Sequence, residues 1–159
     1  MIQACSFEEC GFQAGWNWVK TMNMNRILRL EELTEQARAA ARHSYSPYSG
    51  FRVGAALRLT SGEVVTGTNV ENVSYGLTIC AERSALVRAV AQFGPEIQIE
   101  AVAVANLNGA ASPPCGACRQ MLAEFTLPDA PVMFQVEDGV KTMAFRELLP
   151  EAFEMKPRR

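Results

Sequence analysis

Two short blocks hold the residues of this chain best suited to chemistry: Thr78-Ile79-Cys80-Ala81-Glu82-Arg83 and Pro113-Pro114-Cys115-Gly116-Ala117-Cys118-Arg119. Each opens a stretch that reads as a helix. Thiolates are good zinc ligands, and three protein ligands leave the fourth tetrahedral position free for water. Cys80, Cys115 and Cys118 supply such a set. Glu82 stands two residues after a ligand, close enough to handle that water's protons without binding the metal. The pattern points to a zinc hydrolase.

Taken alone, Cys115 and Cys118 are ambiguous, because Cys-x-x-Cys serves as a zinc half-site or a thioredoxin-like redox pair, or arises by chance. The redox reading has no use for Cys80-Ala81-Glu82. Metal is favoured because all three sulfurs can point from helix N-termini, where the dipole and backbone N–H groups stabilise thiolate. Arg83 and Arg119 each lie beside a ligand and can donate to the sulfurs. Three thiolates on a dication leave a net negative centre, so that positive charge would restore its Lewis acidity. A structural zinc site closes with a fourth Cys or His. The sole histidine, His43, lies well upstream and reads as a surface or helix-terminal residue. Glu82 also has a plain reading, a glutamate stabilised by a helix N-terminus. A non-catalytic zinc-binding module would not need it.

The elements that must position these blocks follow from periodicity. Residues 26–42 read as a helix, with Leu30, Leu33, Ala37 and Ala40 on one stripe and Glu31, Glu32 and Glu35 near its favourable start. The loop 44–50, with Pro47 and Gly50, ends it. Phe51, Val53, Ala55, Leu57 and Leu59 alternate as a strand, Ser61-Gly62 turns the chain, and 63–67 returns. After the polar loop 68–75, the first block begins a helix with Leu86, Ala89, Val90 and Phe93 on one stripe, stopped by Gly94-Pro95. Residues 97–105 read as a central strand buried on both faces. The second block then opens a helix with Cys118, Met121, Leu122 and Phe125 on one stripe. Strands at 132–136 and 140–144 and a short helix at 145–149 complete the unit. The expected class is α/β, a three-layer α-β-α arrangement with a mixed sheet of about five strands.

With 159 residues, 48% of them hydrophobic and 20% charged, the chain has room for one domain with a proper core. The expected folded unit is 25–155. Residues 1–24 read as an N-terminal extension, either disordered or left upstream of a true start at Met22 or Met24. Residues 156–159 form a short basic tail. A net charge of −2 gives no electrostatic footprint for nucleic acid, so no nucleic-acid partner is expected. No apolar run approaches the roughly 18 residues of a membrane helix, and no membrane association is expected. The N-terminus lacks a secretory pattern. The five cysteines are not spread as a disulfide framework. Cys5 and Cys10 could be a second metal pair, but no further ligand stands near them in sequence. A reducing cytoplasm is the expected location.

Several further runs narrow the reading. Tyr45-Ser46-Pro47-Tyr48-Ser49 precedes Phe51 and Val53-Gly54-Ala55-Ala56-Leu57; Asn69-Val70-Glu71-Asn72 and Ser74-Tyr75 precede the first block. Arg119-Gln120, Glu124-Phe125 and Glu147-Leu148-Leu149-Pro150 follow the second. With both blocks, these runs resemble the cytidine deaminase family, specifically its small homotetrameric type with three cysteine ligands, over most of residues 26–153. The resemblance implies Zn²⁺ on Cys80, Cys115 and Cys118 and Glu82 as proton shuttle. A zinc-activated water would attack C4 of cytidine or 2′-deoxycytidine, releasing ammonia and leaving uridine or 2′-deoxyuridine, a step of pyrimidine salvage. It further implies that Asn69 and Glu71 hold the ribose 3′-hydroxyl, Phe51 flanks the base, and the Ala81 backbone meets the pyrimidine's polar edge. In the family's homotetramer, Tyr75 and Phe153 match positions that reach a neighbouring subunit. Ordinary packing of the C-terminal segment explains Phe153 equally well. A related nucleoside such as blasticidin S is the rival substrate, although Arg83 and the Asn69/Glu71 pair favour an ordinary nucleoside. A nucleotide should call for a basic residue where Glu71 stands.

Overall fold

The structure is a computed structural model that describes residues 24–153 and residue 155. The expectations for residues 1–23, including Cys5 and Cys10, and for the tail 156–159 lie outside the described residues. Met24, expected in the extension, is the first residue of a helix.

The elements run α1 (Met24–Ala41), β1 (Val53–Leu59), β2 (Val64–Thr68), a 3-10 turn (Tyr75–Leu77), α2 (Ala81–Phe93), β3 (Ile99–Asn106), α3 (Gly116–Ala123), β4 (Pro131–Val136), β5 (Gly139–Ala144) and α4 (Phe145–Leu148). The five strands form one sheet in the order β2-β1-β3-β4-β5. β1 is antiparallel to β2 and β3, β3 is parallel to β4, and β4 is antiparallel to β5. The sheet is therefore mixed. The Val- and Ala-rich β3 is central, as its apolar run with little polar interruption predicts, with only Glu100 less than fully buried.

Strand alternation divides the interior in two. Ala55, Leu57, Val102, Val104, Val132 and Phe134 face one layer, with Ala81, Ala85, Leu86 and Ala89 of α2 and Leu122 of α3. Ala56, Ala101, Ala103, Ala105 and Met133 face the other, against Leu30, Leu33 and Ala37 of α1. Small residues on that second face let α1 lie close. Gly54 marks the closest approach, since a Cβ there would stand 2.5 Å from Ala41 N. Gly67 plays the same part on the other face, where a Cβ would stand 2.6 Å from Ala81 O and 2.8 Å from the Cα of Ala85. Thus Gly67 sets the distance between the sheet and the helix that carries Cys80 and Glu82.

Several details differ from the periodicity reading. The buried stripe of α1 continues to Ala41, with Ala40 only partly covered. Because α1 begins at Met24, no acidic residue lies in its first turn. Glu31, Glu32 and Glu35 are beyond the reach of its N-terminal dipole, and Glu35 instead pairs with Arg38 at 3.5 Å. On α2 the buried residues are Ala81, Glu82, Ala85, Leu86 and Ala89, while Phe93 is exposed. On α3, Cys118 and Leu122 are buried but Met121 is exposed. In each case one neighbouring layer covers a narrower arc than the apolar residues span. The 3-10 turn was not legible because Tyr75-Gly76-Leu77 carries no buried side chain.

Candidate functional site

Antiparallel pairing brings the start of β1 beside the ends of β2 and β3: Gly54 lies opposite Thr68, and Val53 opposite Asn106. The chain leaves β3 at this edge, crosses through α3 and returns as parallel β4. A crevice at the carboxyl end of such a strand is a usual place for a ligand. Here both cysteine blocks meet.

Cys80 and Cys115 are the N-cap residues of α2 and α3, each with extended backbone, and neither side chain caps its own helix. Both sulfurs are thus free to point outward. The Sγ atoms of Cys80 and Cys115 are 3.9 Å apart, those of Cys115 and Cys118 are 3.4 Å apart, and all three lie within 4.8 Å of one another. A tetrahedral zinc with Zn–S bonds of about 2.3 Å places its sulfurs about 3.8 Å apart. The cluster fits Zn²⁺ in spacing and in donor chemistry. His43 takes no part: it is exposed just beyond α1, its N–H bonded to Ala40 O at 3.0 Å.

The electrostatics favour thiolate at the rim. The neighbouring Cys118 thiol, then Arg83 and Cys115, outweigh burial and hold the pKa of Cys80 down at about 5. Cys118 is pushed up, first by its interaction with Cys80 and then by burial. The buried thiol keeps the proton that its partner has lost, and a bound metal would replace it. Arg83 Nη2 lies 3.9 Å from the Cys80 sulfur and donates to Thr78 O at 3.0 Å. Glu82, in the first turn of α2, has its pKa raised to about 7, chiefly by burial and further by the negative charge of Cys80. A carboxyl poised near neutrality can both take and return a proton.

Cys80, Cys115 and Glu82 open onto a cleft of about 370 Å³ that is also lined by Phe51, Asn69, Glu71, Tyr75 and Ala81. Cys118 forms the floor of the thiolate cluster, with 0% exposure. Ala81 begins α2, so its N–H has no intrahelical acceptor and is available to a ligand. Asn69 is mostly committed to the scaffold. Its Oδ1 accepts from Ser44 Oγ at 2.6 Å and Val53 N at 2.9 Å, and its Nδ2 donates to Phe51 O at 2.8 Å. One amide N–H remains for a ligand. Glu71 accepts from the backbone of Tyr48 at 2.9 Å and Ser49 at 3.3 Å, and from the Ser49 hydroxyl. The Ser49 hydroxyl is the main reason its carboxyl is held below the usual range. It is a carboxylate, and it anchors the 44–50 loop.

One expected residue lies elsewhere. Arg119 does not reach the sulfurs: Nε donates to Pro114 O at 2.7 Å and Nη1 to Leu148 O at 3.0 Å. The helical turn after Cys118 directs it to the C-terminal segment, so Arg83 is the arginine at the thiolates. Phe153 is absent from its own chain's cleft, 71% exposed, with its backbone held by both ends of the Gln120 amide at 2.8 and 3.3 Å. The sequence reading also passed over Val53, Thr78, Val104 and Ser112, all of which line the cleft. Only strand register and loop return place them there. Asn106, Asn108 and Ser112, polar residues shortly before the second cysteine block, gave the one usable signal.

A mixed α/β sheet with an open three-thiolate centre on two helix N-termini, and a buried carboxyl beside it, defines a zinc-dependent hydrolase. A family model described as the cytidine and deoxycytidylate deaminase zinc-binding region matches residues 28–134. The cytidine deaminase of Halalkalibacterium halodurans is 43% identical over 122 residues, covering 76% of this chain and 91% of the relative. That of Mycobacterium tuberculosis H37Rv is 43% identical over 121 residues, covering 76% and 86%. The crystal structure of cytidine deaminase from Burkholderia pseudomallei superposes with a TM-score of 0.70 at 43% identity, over 77% of this chain and 98% of that one. The chain belongs to the cytidine deaminase family.

Proposed function

We propose that the protein deaminates cytidine and 2′-deoxycytidine to uridine and 2′-deoxyuridine, releasing ammonia. The observation that carries this reading is that Cys80, Cys115 and Glu82 line the same cleft as Phe51, Asn69 and Glu71. Zn²⁺ held by Cys80, Cys115 and Cys118 would supply a Lewis acid able to make water acidic near neutral pH. Glu82 takes a proton from that water and delivers it to the pyrimidine ring nitrogen. Once the water oxygen has joined C4, the same carboxyl takes the second proton from that oxygen and passes it to the amine, so that the C4–N4 bond breaks, ammonia leaves and the C4 carbonyl remains. The Ala81 N–H meets the polar edge of the base, Phe51 flanks its face, and Glu71 with the remaining N–H of Asn69 takes the ribose 3′-hydroxyl. A carboxylate at the sugar end repels a phosphate, which favours a nucleoside over a nucleotide.

The same reading assigns the enzyme to pyrimidine salvage in the cytoplasm, as a homotetramer. Among the described residues no helix is long and apolar enough to cross a membrane. Support for self-association comes from Val73, Tyr75 and Leu77, exposed at 82%, 84% and 66% beside the cleft, and from Phe153 presented outward. Such apolar side chains fit contact with a second copy. A monomeric mass by sedimentation would remove this part of the reading.

The activity is tested by following ultraviolet absorbance of cytidine and deoxycytidine, with and without a chelator, for the native chain and Glu82→Gln. The variant should retain zinc and fold while kcat falls by about 10²–10⁴-fold. A near-normal rate would remove Glu82 from the mechanism.

A further inference from the structure

Phe51 lies on irregular chain between the 44–50 loop and β1, where an aromatic wall has no ladder of its own to fix it. The structure supplies that rigidity from outside. Asn108 reaches across with both ends of its amide: Nδ2 donates to Gly50 O at 3.1 Å, and Oδ1 accepts from Arg52 N at 2.9 Å. The backbone on either side of Phe51 is therefore held by one side chain. Leu107 N adds a bond to Arg52 O at 3.0 Å. Phe51 itself is held through its N–H to Ser49 Oγ at 2.9 Å and its carbonyl from Asn69 Nδ2 at 2.8 Å.

Asn108 is itself fixed. Asn106, with 0% exposure, accepts from Asn108 N at 2.9 Å and from Ala110 N at 3.4 Å through Oδ1. Its Nδ2 donates to Ala110 O at 2.6 Å and Ser112 Oγ at 2.9 Å. A buried amide with both ends satisfied makes the 106–112 loop a defined shape rather than a tether. Gly109, at φ +70°, provides its turn. The loop then continues through Pro113 and Pro114 to Cys115. One rigid loop thus holds the aromatic wall at one end and leads into the thiolate cluster at the other.

We propose that Asn108 is a positioning residue for deamination: by clamping Gly50 and Arg52 it sets the Phe51 ring against the base. This rests on the reading of Phe51 as the residue flanking the base. Asn108 is exposed and lines no part of the cleft, so its effect must pass through Phe51.

The test is a double-mutant cycle on the zinc-loaded enzyme with Asn108→Ala, Phe51→Ala and the pair, reading kcat, KM, zinc content and Tm. Asn108→Asp serves as a second variant; it keeps an acceptor for Arg52 N and loses the donor to Gly50. With two hydrogen bonds lost, Asn108→Ala should raise KM for cytidine by about 5- to 10-fold with kcat changed less than about twofold. Asn108→Asp should raise it by a smaller factor, and both variants should hold a full zinc complement. The pair should be no worse than Phe51→Ala alone, because a clamp without its ring has nothing left to set. Losses that multiply in the pair, or an Asn108→Ala enzyme with unchanged KM beside an impaired Phe51→Ala, would overturn the clamp. An equal fall in kcat and zinc content would overturn it too. A native KM in Phe51→Ala would instead remove the base-flanking role on which the proposal rests.

Discussion

The distance between α2 and the sheet should control the metal centre, and Gly67 is where it can be perturbed. A Cβ on Gly67 would lie 2.8 Å from the Cα of Ala85 and 2.6 Å from Ala81 O. Carbon atoms prefer separations of about 3.5–4.0 Å, so Gly67→Ala must push α2 outward by about 1 Å. These atoms, and the still nearer Ala85 N, are all helix backbone, which cannot swing aside as a side chain would. The helix carries Cys80 at its N-cap and Glu82 in its first turn, whereas Cys115 and Cys118 ride on α3. The shift therefore opens the thiolate triangle, although metal–ligand distances tolerate only about 0.2 Å. Overpacking of this kind costs about 1–3 kcal/mol, which lowers Tm by roughly 3–10 °C in a chain of this size. Misplacing the proton carrier by about 1 Å should reduce kcat/KM by about 10²-fold. Zinc content by elemental analysis, Tm by calorimetry and kcat/KM by ultraviolet assay provide the readouts. Gly76→Ala, where an added Cβ meets nothing within 4 Å, is the control for Tm. A Gly67→Ala protein with native Tm, full zinc and native kcat/KM would refute the reasoning.

Glu71→Gln should raise KM for cytidine by about 10-fold through loss of the charged hydrogen bond to the sugar, with little change for free cytosine. The amide oxygen can still accept from Tyr48 and Ser49, so the 44–50 loop stays anchored; equal losses for both compounds would refute the ribose assignment. In chelator-stripped protein, the depressed pKa of Cys80, about 5, keeps it largely thiolate at pH 7. Its alkylation rate should therefore level off above about pH 6, whereas an ordinary thiol gains rate up to about pH 8.5. Arg83→Ala should move that midpoint upward, since the arginine favours the charged form. A midpoint that stays in place by differential labelling and mass spectrometry would remove Arg83 from the electrostatics of the centre.

Much of this was legible along the chain. The alternation of Val53 to Leu59, the largely apolar run of β3 and the punctuation at Gly94-Pro95 each report a local periodicity or a local backbone constraint. The three cysteines and Glu82 were equally legible, because helix N-caps and ligand spacing are short-range features. Arg119 was misplaced for the complementary reason. Adjacency to a ligand says nothing about which way a long side chain runs, and the carbonyls of Pro114 and Leu148 captured it.

The sequence by itself determined the donor set, the helices that present it and the succession of helices and strands along the chain. Tertiary structure alone decided how far apart the sulfurs sit, which arginine faces them, and that Glu82 is buried enough to titrate near neutrality. It also showed that Asn69 and Glu71 are tied by hydrogen bonds to the surrounding loops, and that Asn108 bonds the backbone of Gly50 and Arg52, 58 and 56 residues away. Periodicity records whether a residue faces a core. Distances, burial and hydrogen-bond partners arise only when strand register and helix approach bring remote segments to one edge of the sheet.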